Sequence, residues 1–201
     1  MIRILLAEDM GMVRGALAAL LALEGDLEVV AQVARGDEVL PAAVETEPDV
    51  AVLDIELPGG DGLVAAERLH ERLPACRVVM LTTFGRPGYL RRAMAAGARG
   101  FLLKESPASA LAAAIRRVVA GDVVVAPDLA LSALRAGESP LSARERDVLD
   151  AARTGQTIAA LAAALHLSEG TVRNHLSAAI QKLGVRTRAE AAHIAKERGW
   201  L

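Results

Sequence analysis

The amino-acid sequence predicts an α/β fold, in which helices cover both faces of a parallel sheet, followed by a smaller all-helical domain. Short apolar runs alternate with amphipathic stretches over residues 1–120, and these runs are apolar throughout rather than at every second position. Only helical patterns follow the last proline, Pro140. Strands that alternate with helices are typical of doubly wound sheets, and continuously apolar strands indicate a sheet that is covered on both faces.

Five strands and five helices are predicted in residues 1–120. The predicted strands are Ile2–Leu6, Leu27–Val33, Val50–Leu53, Arg77–Leu81 and Gly100–Leu103. The predicted helices are Met12–Leu23, Gly36–Thr46, Gly62–Leu73, Gly88–Ala96 and Ala108–Ala120. Pro48 and Pro74 follow two of these helices, and proline ends a helix because it has no backbone N–H to donate.

The domain boundaries follow from a change of pattern after Gly121. Residues 1–120 are predicted to form the first domain, 121–139 a linker and 140–201 the second domain. The linker is interrupted by proline and glycine and contains a short extended piece at Val123–Val125 and a short helix at Leu129–Leu134. Ser142 and Glu145 form the pattern of a helix-capping box. Further helices are predicted at Thr157–Leu165, Ser168–Leu183 and Thr187–Arg198.

The composition favours a cytoplasmic protein whose two domains differ in charge. Cys76 is the single cysteine, so no internal disulfide is possible, and no apolar run approaches the roughly 20 residues of a membrane span. The N-terminus lacks the pattern of a secretion signal. Residues 1–139 contain 14 basic and 19 acidic residues, whereas residues 140–201 contain 9 and 6. The basic second domain is compatible with a nucleic-acid partner.

Polar residues follow four of the predicted strands, at the sheet edge where open parallel sheets bind ligands. Glu8 and Asp9 follow the first strand, Asp54 the third, Thr82 the fourth and Lys104 the fifth. Crowded carboxylates repel one another unless a cation lies between them, and Mg²⁺ prefers oxygen ligands. An aspartate can act as a nucleophile toward a phosphoryl group, whose oxygens a metal, a lysine and a hydroxyl then neutralise. The pattern therefore predicts phosphoryl transfer to an aspartate.

These residues resemble the receiver domains of bacterial two-component systems. The resemblance rests on Glu8-Asp9, on Asp54 with Pro58 and Gly62 after it, on Thr82, and on the run Gly100–Lys104. It implies a flavodoxin-like (CheY-like) sheet of five parallel strands. It also implies that Asp54 is the phosphoacceptor and that Thr82 and Lys104 bind the phosphoryl group.

The same resemblance implies a metal site and a switch residue. Glu8, Asp9, Asp54 and the backbone carbonyl of Glu56 would hold Mg²⁺. Phe101 would be the aromatic side chain that changes rotamer on activation, although packing in the core is a simpler role for it. Glu105 departs from many receivers, in which a proline follows the lysine.

The second domain is predicted to contain a helix-turn-helix. The turn falls at His166-Leu167, and Ser168 caps the next helix, whose first turns would enter a DNA major groove. The predicted DNA-contacting residues are Thr171, Arg173, Asn174, His175, Ser177, Lys182 and Arg188. Arg173 and Asn174 suit base edges, whereas the three remaining basic side chains suit phosphates. Composition alone leaves a helical protein-interaction module open as an alternative.

Three runs in this domain closely resemble the LuxR-type helix-turn-helix, namely Leu141–Leu149, Leu167–His175 and Lys182–Arg188. A receiver joined to this module resembles the NarL/FixJ family of response regulators. That family implies a transcription regulator, not an enzyme, which accepts phosphate from a sensor histidine kinase and binds DNA as a homodimer. Ala160 departs from the family, where glutamate is usual. Residues 82–89 and 196–201 further resemble one member of the family, a desaturase regulator.

Two other functions are alternatives to this interpretation. Haloacid-dehalogenase phosphatases also use an aspartate nucleophile and Mg²⁺, but their second aspartate lies two residues after the nucleophile, where this chain has Gly11 after Asp9. A DNA-binding protein with an inactive receiver is the other alternative, which the presence of Asp54, Thr82 and Lys104 argues against.

Two dimer faces are left open by the sequence. The first is the face of the fourth helix, fifth strand and fifth helix. The second is formed by the first and fifth helices, unless their leucines belong to the core. Its residues are Leu17, Leu20, Leu21, Leu111, Ile115 and Val118.

Overall fold

The computed structural model describes residues 1–83, 85, 87–135 and 139–201. Phe84 and Arg86, within the stretch 82–89, and Gly137, within the predicted linker, lie outside the described residues. The chain forms two compact units, which are Met1–Gly85 with Leu90–Leu131 and Ser132–Leu201 with Arg86–Tyr89. The boundaries at residues 120 and 140 stay a prediction.

The first unit is built on a parallel sheet, as predicted. Its strands are β1 (Ile2–Ala7), β2 (Leu27–Val33), β3 (Val50–Asp54), β4 (Arg77–Thr82), β5 (Gly100–Leu103) and β6 (Val124–Val125). The strand order is β2-β1-β3-β4-β5-β6, and each neighbouring pair is parallel. The sheet thus has six strands rather than the predicted five, because Val124 and Val125 pair with Gly100 and Phe101.

Helices follow the strands at nearly the predicted positions. They are α1 (Gly11–Ala22), α2 (Gly36–Thr46), α3 (Gly62–Arg72), α4 (Pro87–Ala95), α5 (Ala108–Val119) and α6 (Pro127–Arg135). Both β6 and α6 lie within residues 121–139. Most of the stretch predicted to be a linker therefore has regular structure, in the short extended piece and the short helix that its sequence indicated.

Both faces of the sheet are buried, which explains why its strands are continuously apolar. Every residue of β3 is buried. Ile4 and Val52 pack on one face with Ile115 of α5, and alternate residues such as Leu53 and Met80 are fully buried on the other. The carboxyl ends of these strands consequently lie at one edge of a sheet that is packed on both faces.

The apolar residues of α1 and α5 are divided between the core and the surface. The core contains Leu21, Leu111, Ile115 and Val118. Leu17 packs against this core, whereas Leu20 is 43% exposed. Leu23, just after α1, is 81% exposed. Leu20 and Leu23 are therefore leucines that this face offers to a partner.

The second unit is helical and has a separate core. Its helices are α7 (Ala143–Ala151), a 3-10 turn (Ala152–Thr154), α8 (Ile158–Leu165), α9 (Glu169–Leu183) and α10 (Arg188–Glu197). A Ser or Thr side chain caps each α-helix by accepting a backbone N–H, at Ser142, Thr157, Ser168 and Thr187. Caps of this kind contribute about 1 kcal/mol each. Trp200 packs into the core that these helices enclose.

Among the described residues, none of the helices has the length and apolar character needed to cross a lipid bilayer.

Cys76 is expected to be chemically inert in the native protein. The side chain is buried before β4, and burial raises the pKa of its thiol to about 11. Only the thiolate reacts with alkylating agents, so at pH 8 iodoacetamide should modify the native chain far more slowly than the chain in guanidinium chloride. Mass spectrometry of the alkylated protein follows both reactions. Equal rates would show that the thiol is accessible and ionised in the native state.

Candidate functional sites: an acidic pocket and a helix-turn-helix

The carboxyl ends of β1 and β3 bring together the predicted acidic residues. Glu8 and Asp54 are buried and Asp9 is exposed, and one carboxylate oxygen from each lies within 4.8 Å of the other two. Glu8 directly follows β1, and Asp54 is the last residue of β3. Because β1 and β3 are paired in parallel, their carboxyl ends necessarily meet at one edge of the sheet.

Lys104 lies between the two buried carboxylates. Its Nζ is 2.9 Å from Asp54 Oδ2 and 2.6 Å from Glu8 Oε2. Burial alone would lower the pKa of Lys104, but its interactions with the carboxylates of Glu8 and Asp54 outweigh that effect and raise it. Burial raises the pKa of Glu8, and the neighbouring charge of Asp54 raises it further. Lys104 acts in the opposite direction but does not outweigh these two effects. The pocket therefore holds a charged lysine beside two carboxylates that compete for it.

The donors in this pocket fit a hard divalent cation. Glu8 Oε2 is buried and, among the described residues, accepts no hydrogen bond of regular geometry, although Lys104 lies within ion-pair distance. Three carboxylates within 4.8 Å of one another supply the oxygen ligands that Mg²⁺ prefers. An additional positive charge would also relieve the repulsion between them.

Arg14, which the sequence did not predict, and Gly62, which belongs to the receiver pattern, constrain the backbone at this edge. The Arg14 guanidinium in α1 donates a hydrogen bond to the carbonyl of Glu8 at 2.5 Å. A Cβ atom at Gly62 would overlap the carbonyl oxygen of Asp54, so only glycine fits there. The sequence had no signal for the role of Arg14, whereas the glycine was part of the receiver pattern.

The other predicted pocket residues lie at the end of β4, within β5 and in the loop after β3. Thr82 is buried at the end of β4, and its carbonyl accepts the backbone N–H of Lys104 at 2.8 Å. Phe101 is fully buried in β5, in register with Met80 of β4. Glu56 is exposed in the loop after β3. Phosphoryl binding by Thr82, rotamer change in Phe101 and metal binding by Glu56 stay predictions.

In the second unit, α8 and α9 form the predicted helix-turn-helix. His166 ends α8 in the left-handed conformation (φ 55°), and Leu167 leads to the cap residue Ser168. The Ser168 hydroxyl accepts the N–H of Thr171 at 3.1 Å and also bonds the Thr171 hydroxyl at 2.8 Å. Thr171 therefore supports the start of α9, in addition to its predicted DNA contact.

One face of α9 is buried and the opposite face is polar and exposed. Val172, Leu176 and Ala179 are buried. The exposed residues of α9 include Arg173, Asn174, Ser177 and Gln181. His175 is half-buried at the border of these faces. Gln181 was not predicted, although its position seven residues after Asn174 would have placed it on the same helical face.

Two of the predicted phosphate-binding cations already have protein partners. Lys182 Nζ donates to both carboxylate oxygens of Glu145, at 2.7 and 2.9 Å. Arg188 donates to the carbonyl of Gln156 at 3.1 Å. These bonds give Lys182 and Arg188 structural roles beside the predicted contacts with DNA phosphates.

Glu145 connects α7 to α9. Its carboxylate accepts the N–H of Ser142 at 2.7 Å, and Ser142 in turn accepts the N–H of Glu145 at 3.2 Å, which is the predicted capping box. Burial acts to raise the pKa of Glu145, but the hydrogen bonds from Lys182 and Ser142 outweigh it and lower the pKa. The ionised carboxylate therefore stabilises the folded unit.

Replacing Glu145 with Gln is expected to weaken the second unit by about 1–3 kcal/mol at pH 7, the usual cost of losing buried hydrogen bonds to a charge. Because the folded pKa is lowered, this stabilisation is present above the pKa of the unfolded chain and is lost as the pH falls through the folded pKa. Urea unfolding between pH 7 and pH 3, followed by fluorescence of the single tryptophan Trp200, measures the difference between variant and parent. A pH-independent difference would contradict the assignment. Asp147→Asn, at an exposed pair on α7, is the control.

Comparison with known proteins gives matches over both units. Residues 4–116 match the response regulator receiver domain, and residues 139–195 match the bacterial regulatory proteins of the luxR family. The uncharacterized transcriptional regulatory protein YvfU of Bacillus subtilis is 47% identical to this chain over 201 residues, which are 100% of this chain and 100% of YvfU. DesR, a transcriptional regulatory protein of the same organism, is 44% identical over 200 residues, which are 100% of this chain and 99% of DesR.

Among solved structures, the response regulator ChrA of a heme-sensing two-component system is 33% identical to this chain. Its crystal structure covers 100% of this chain and 98% of ChrA with a TM-score of 0.59. The similarity therefore extends over both the sheet-containing unit and the helical unit.

Proposed function

The chain belongs to the two-component response regulators that join a receiver domain to a LuxR-type DNA-binding domain, and on this premise we propose that Asp54 is its phosphoacceptor and α9 its DNA-recognition helix. Members of this family regulate transcription and are not enzymes, which removes the phosphatase alternative. The observation that carries the proposal is the group that Lys104 forms with the buried carboxylates of Asp54 and Glu8, with Nζ 2.9 Å from the Asp54 carboxylate.

Asp54 Oδ is the proposed nucleophile. It attacks the phosphorus of a phosphohistidine on the sensor kinase, so that an O–P bond forms, the N–P bond breaks and the histidine leaves with the bonding electrons and takes up a proton. The product is an acyl phosphate on Asp54. Lys104, which lies 2.9 Å from the carboxylate, then neutralises a phosphoryl oxygen, and the Thr82 hydroxyl donates to another.

Mg²⁺ is the proposed cofactor of this step. The carboxylates of Glu8, Asp9 and Asp54 and the backbone carbonyl of Glu56 would hold it. The ion would supply positive charge that neutralises the phosphoryl oxygens. Glu8 and Asp9 would keep the ion beside the nucleophile, and Arg14 holds the carbonyl of Glu8 in position.

Phosphorylation is proposed to change the partners of Lys104. The phosphoryl group adds about −1.5 to −2 units of charge, which draws Lys104 away from Glu8 and draws Thr82 toward the phosphate. Phe101, three residues before Lys104 in β5, would follow and alter the face of α4, β5 and α5. A second copy of the chain would then bind there or on the α1–α5 face, which exposes Leu20.

The proposed partners are DNA, a sensor histidine kinase and a second copy of the chain. One helix-turn-helix covers a short half-site, so two-fold pairing is the ordinary route to tight binding. The cytoplasm is the proposed location, because a bacterial transcription regulator must reach the DNA there.

Selection from a library of random-sequence DNA duplexes tests the proposed function. The protein is incubated with acetyl phosphate and Mg²⁺ or without them, and the bound duplexes are amplified and sequenced over several rounds. Enrichment of one sequence by the phosphorylated protein is the expected result. Equal enrichment without acetyl phosphate would favour the alternative of a DNA-binding protein with an inactive receiver.

Replacing Arg173 or Asn174 with Ala is expected to weaken binding to the enriched duplex by about 1–3 kcal/mol and to relax its sequence preference. Both side chains are exposed near the start of α9, where bidentate hydrogen bonds to base edges are possible. Lys182→Ala should instead weaken all duplexes alike and flatten the salt dependence. Fluorescence anisotropy with labelled duplexes measures these affinities. A changed sequence preference in Lys182→Ala would contradict this division of roles.

A further inference from the structure

The exposed face of α9 carries an acidic side chain beside the proposed base-contacting arginine. Glu169 begins the helix, and its Oε2 accepts a hydrogen bond from Arg173 Nη2 at 2.7 Å. The side chains are 49% and 61% exposed, respectively. A carboxylate therefore stands at the end of the helix that would approach the negatively charged DNA most closely.

We propose that Glu169 is a positioning residue for Arg173 that raises the sequence specificity of DNA binding. The inference rests on the proposed role of Arg173 in contacting base edges. Glu169 acts in two ways. It holds the Arg173 side chain in one orientation before DNA is bound, and its negative charge weakens the sequence-independent attraction to DNA phosphates.

The ordering effect follows from the geometry of the guanidinium group. Arginine has five N–H donors in a planar fork, and the described bond to Glu169 uses one of them. The remaining donors still allow a bidentate contact with a guanine edge while the bond to Glu169 persists. A long side chain that is already held in place loses less conformational freedom on binding.

The charge effect follows from the nature of non-specific binding. Affinity for any duplex depends on the number of phosphates that the protein neutralises, and at 0.15 M salt one such contact corresponds to about a fivefold change in affinity. The negative charge of Glu169 lowers this sequence-independent term. The charge therefore lowers the affinity for duplexes of other sequences, in which no contact between Arg173 and a base edge offsets the loss.

The structural role of Glu169 at the start of the helix is small, because an exposed carboxylate in the first turn contributes only about 0.3–1 kcal/mol. Ser168 caps α9 through the N–H of Thr171, and Val172 and Leu176 bury its inner face. These interactions hold the first turn without the carboxylate. Replacement of Glu169 should therefore leave the second unit folded, which the fluorescence of Trp200 during urea unfolding verifies.

Two variants separate the effect of the negative charge of Glu169 from its effect on the orientation of Arg173. Glu169→Gln removes the charge but keeps an oxygen that can accept from Arg173, whereas Glu169→Ala removes both. With a random-sequence duplex at 0.15 M salt, both variants should bind about fivefold more tightly, and the slope of log affinity against log salt should steepen by about 0.9. With the duplex enriched by selection, Glu169→Ala should bind more weakly than Glu169→Gln. The ratio of the affinity for the enriched duplex to the affinity for the random-sequence duplex should therefore be lower in the alanine variant than in the glutamine variant.

The controls decide whether Glu169 acts through Arg173. Asp150→Asn breaks a similar exposed pair between α7 and Arg153 of the following 3-10 turn (2.7 Å) and should leave the affinity ratio unchanged. In an Arg173→Ala background, the alanine and glutamine variants of Glu169 should become equal. A persistent difference between them, or an unchanged affinity ratio in the single variants, would overturn the proposal. Equal binding of parent and Arg173→Ala to the enriched duplex would instead refute the proposed function of Arg173, and this inference with it.

Discussion

Replacement of Asp54 by asparagine is expected to abolish phosphorylation by acetyl phosphate, whereas the parent chain takes up one phosphoryl group when Mg²⁺ is present. The amide of asparagine carries no negative charge and is a poor nucleophile, so no acyl phosphate forms. Intact-protein mass spectrometry after incubation, with and without EDTA, measures the uptake directly. The parent should lose its labelling in EDTA, because three carboxylates repel a negatively charged phosphoryl group unless a cation lies between them.

Matched variants separate the loss of the nucleophile from a general effect of charge. Asp37→Asn removes an exposed carboxylate of α2 that pairs at 2.8 Å with Arg35, just before the helix, and it should be labelled as fast as the parent. Asp9→Asn removes a proposed metal ligand but keeps the nucleophile, so labelling should slow and need more Mg²⁺. Labelling of Asp54→Asn equal to that of the parent would refute the assignment and would locate the phosphoacceptor elsewhere.

Phosphorylation is expected to convert the chain from monomer to dimer. Sedimentation velocity at micromolar concentration should show a larger sedimentation coefficient with beryllofluoride, a phosphoryl mimic, than without it. A change from a 1:99 to a 99:1 equilibrium requires about 5.5 kcal/mol of preference for the dimer-competent state. Asp54→Asn should not respond to beryllofluoride. An unchanged sedimentation coefficient together with tighter DNA binding would show that dimerisation is not the switch.

The same experiment distinguishes the two candidate dimer faces. Leu20 lies on α1 and is 43% exposed, so its replacement by Glu should leave the core intact. If Leu20→Glu stays monomeric with beryllofluoride, the dimer forms through α1 and α5. If it still dimerises, the face of α4, β5 and α5 is used, since a charge on α1 does not alter that surface.

Much of the first unit could be predicted because its strands are buried on both faces. Val50–Asp54 is buried throughout, and a run of this kind has few interpretations when amphipathic helices flank it. The pocket followed from the strand ends, since parallel strands bring their last residues to a common edge. The sixth strand was harder, because Val124 and Val125 are too short a run to display a period.

Contacts between residues that are far apart in the chain could not be predicted. Lys182 bonds a carboxylate 37 residues away, and no local pattern links these positions. Its prediction as a phosphate-binding residue considered only the charge of the side chain. Arg14 bonds the carbonyl of Glu8, only six residues away, but this contact was not predictable either, because a backbone acceptor leaves no mark in the sequence. Helix caps such as Ser142 and Ser168 were predictable, because each acts within three residues.

The bond between Glu145 and Lys182 also limits how this domain can diverge among related proteins. A lineage that loses the cation first must carry a buried carboxylate without its charge partner, and one that loses the carboxylate first gives up the capping box as well. Either intermediate is expected to be less stable than both end states, since removing one partner of a partly buried pair is costly while exchanging both partners is often tolerated. The two positions should therefore change together in an alignment of relatives, with lysine or arginine at one wherever glutamate occupies the other.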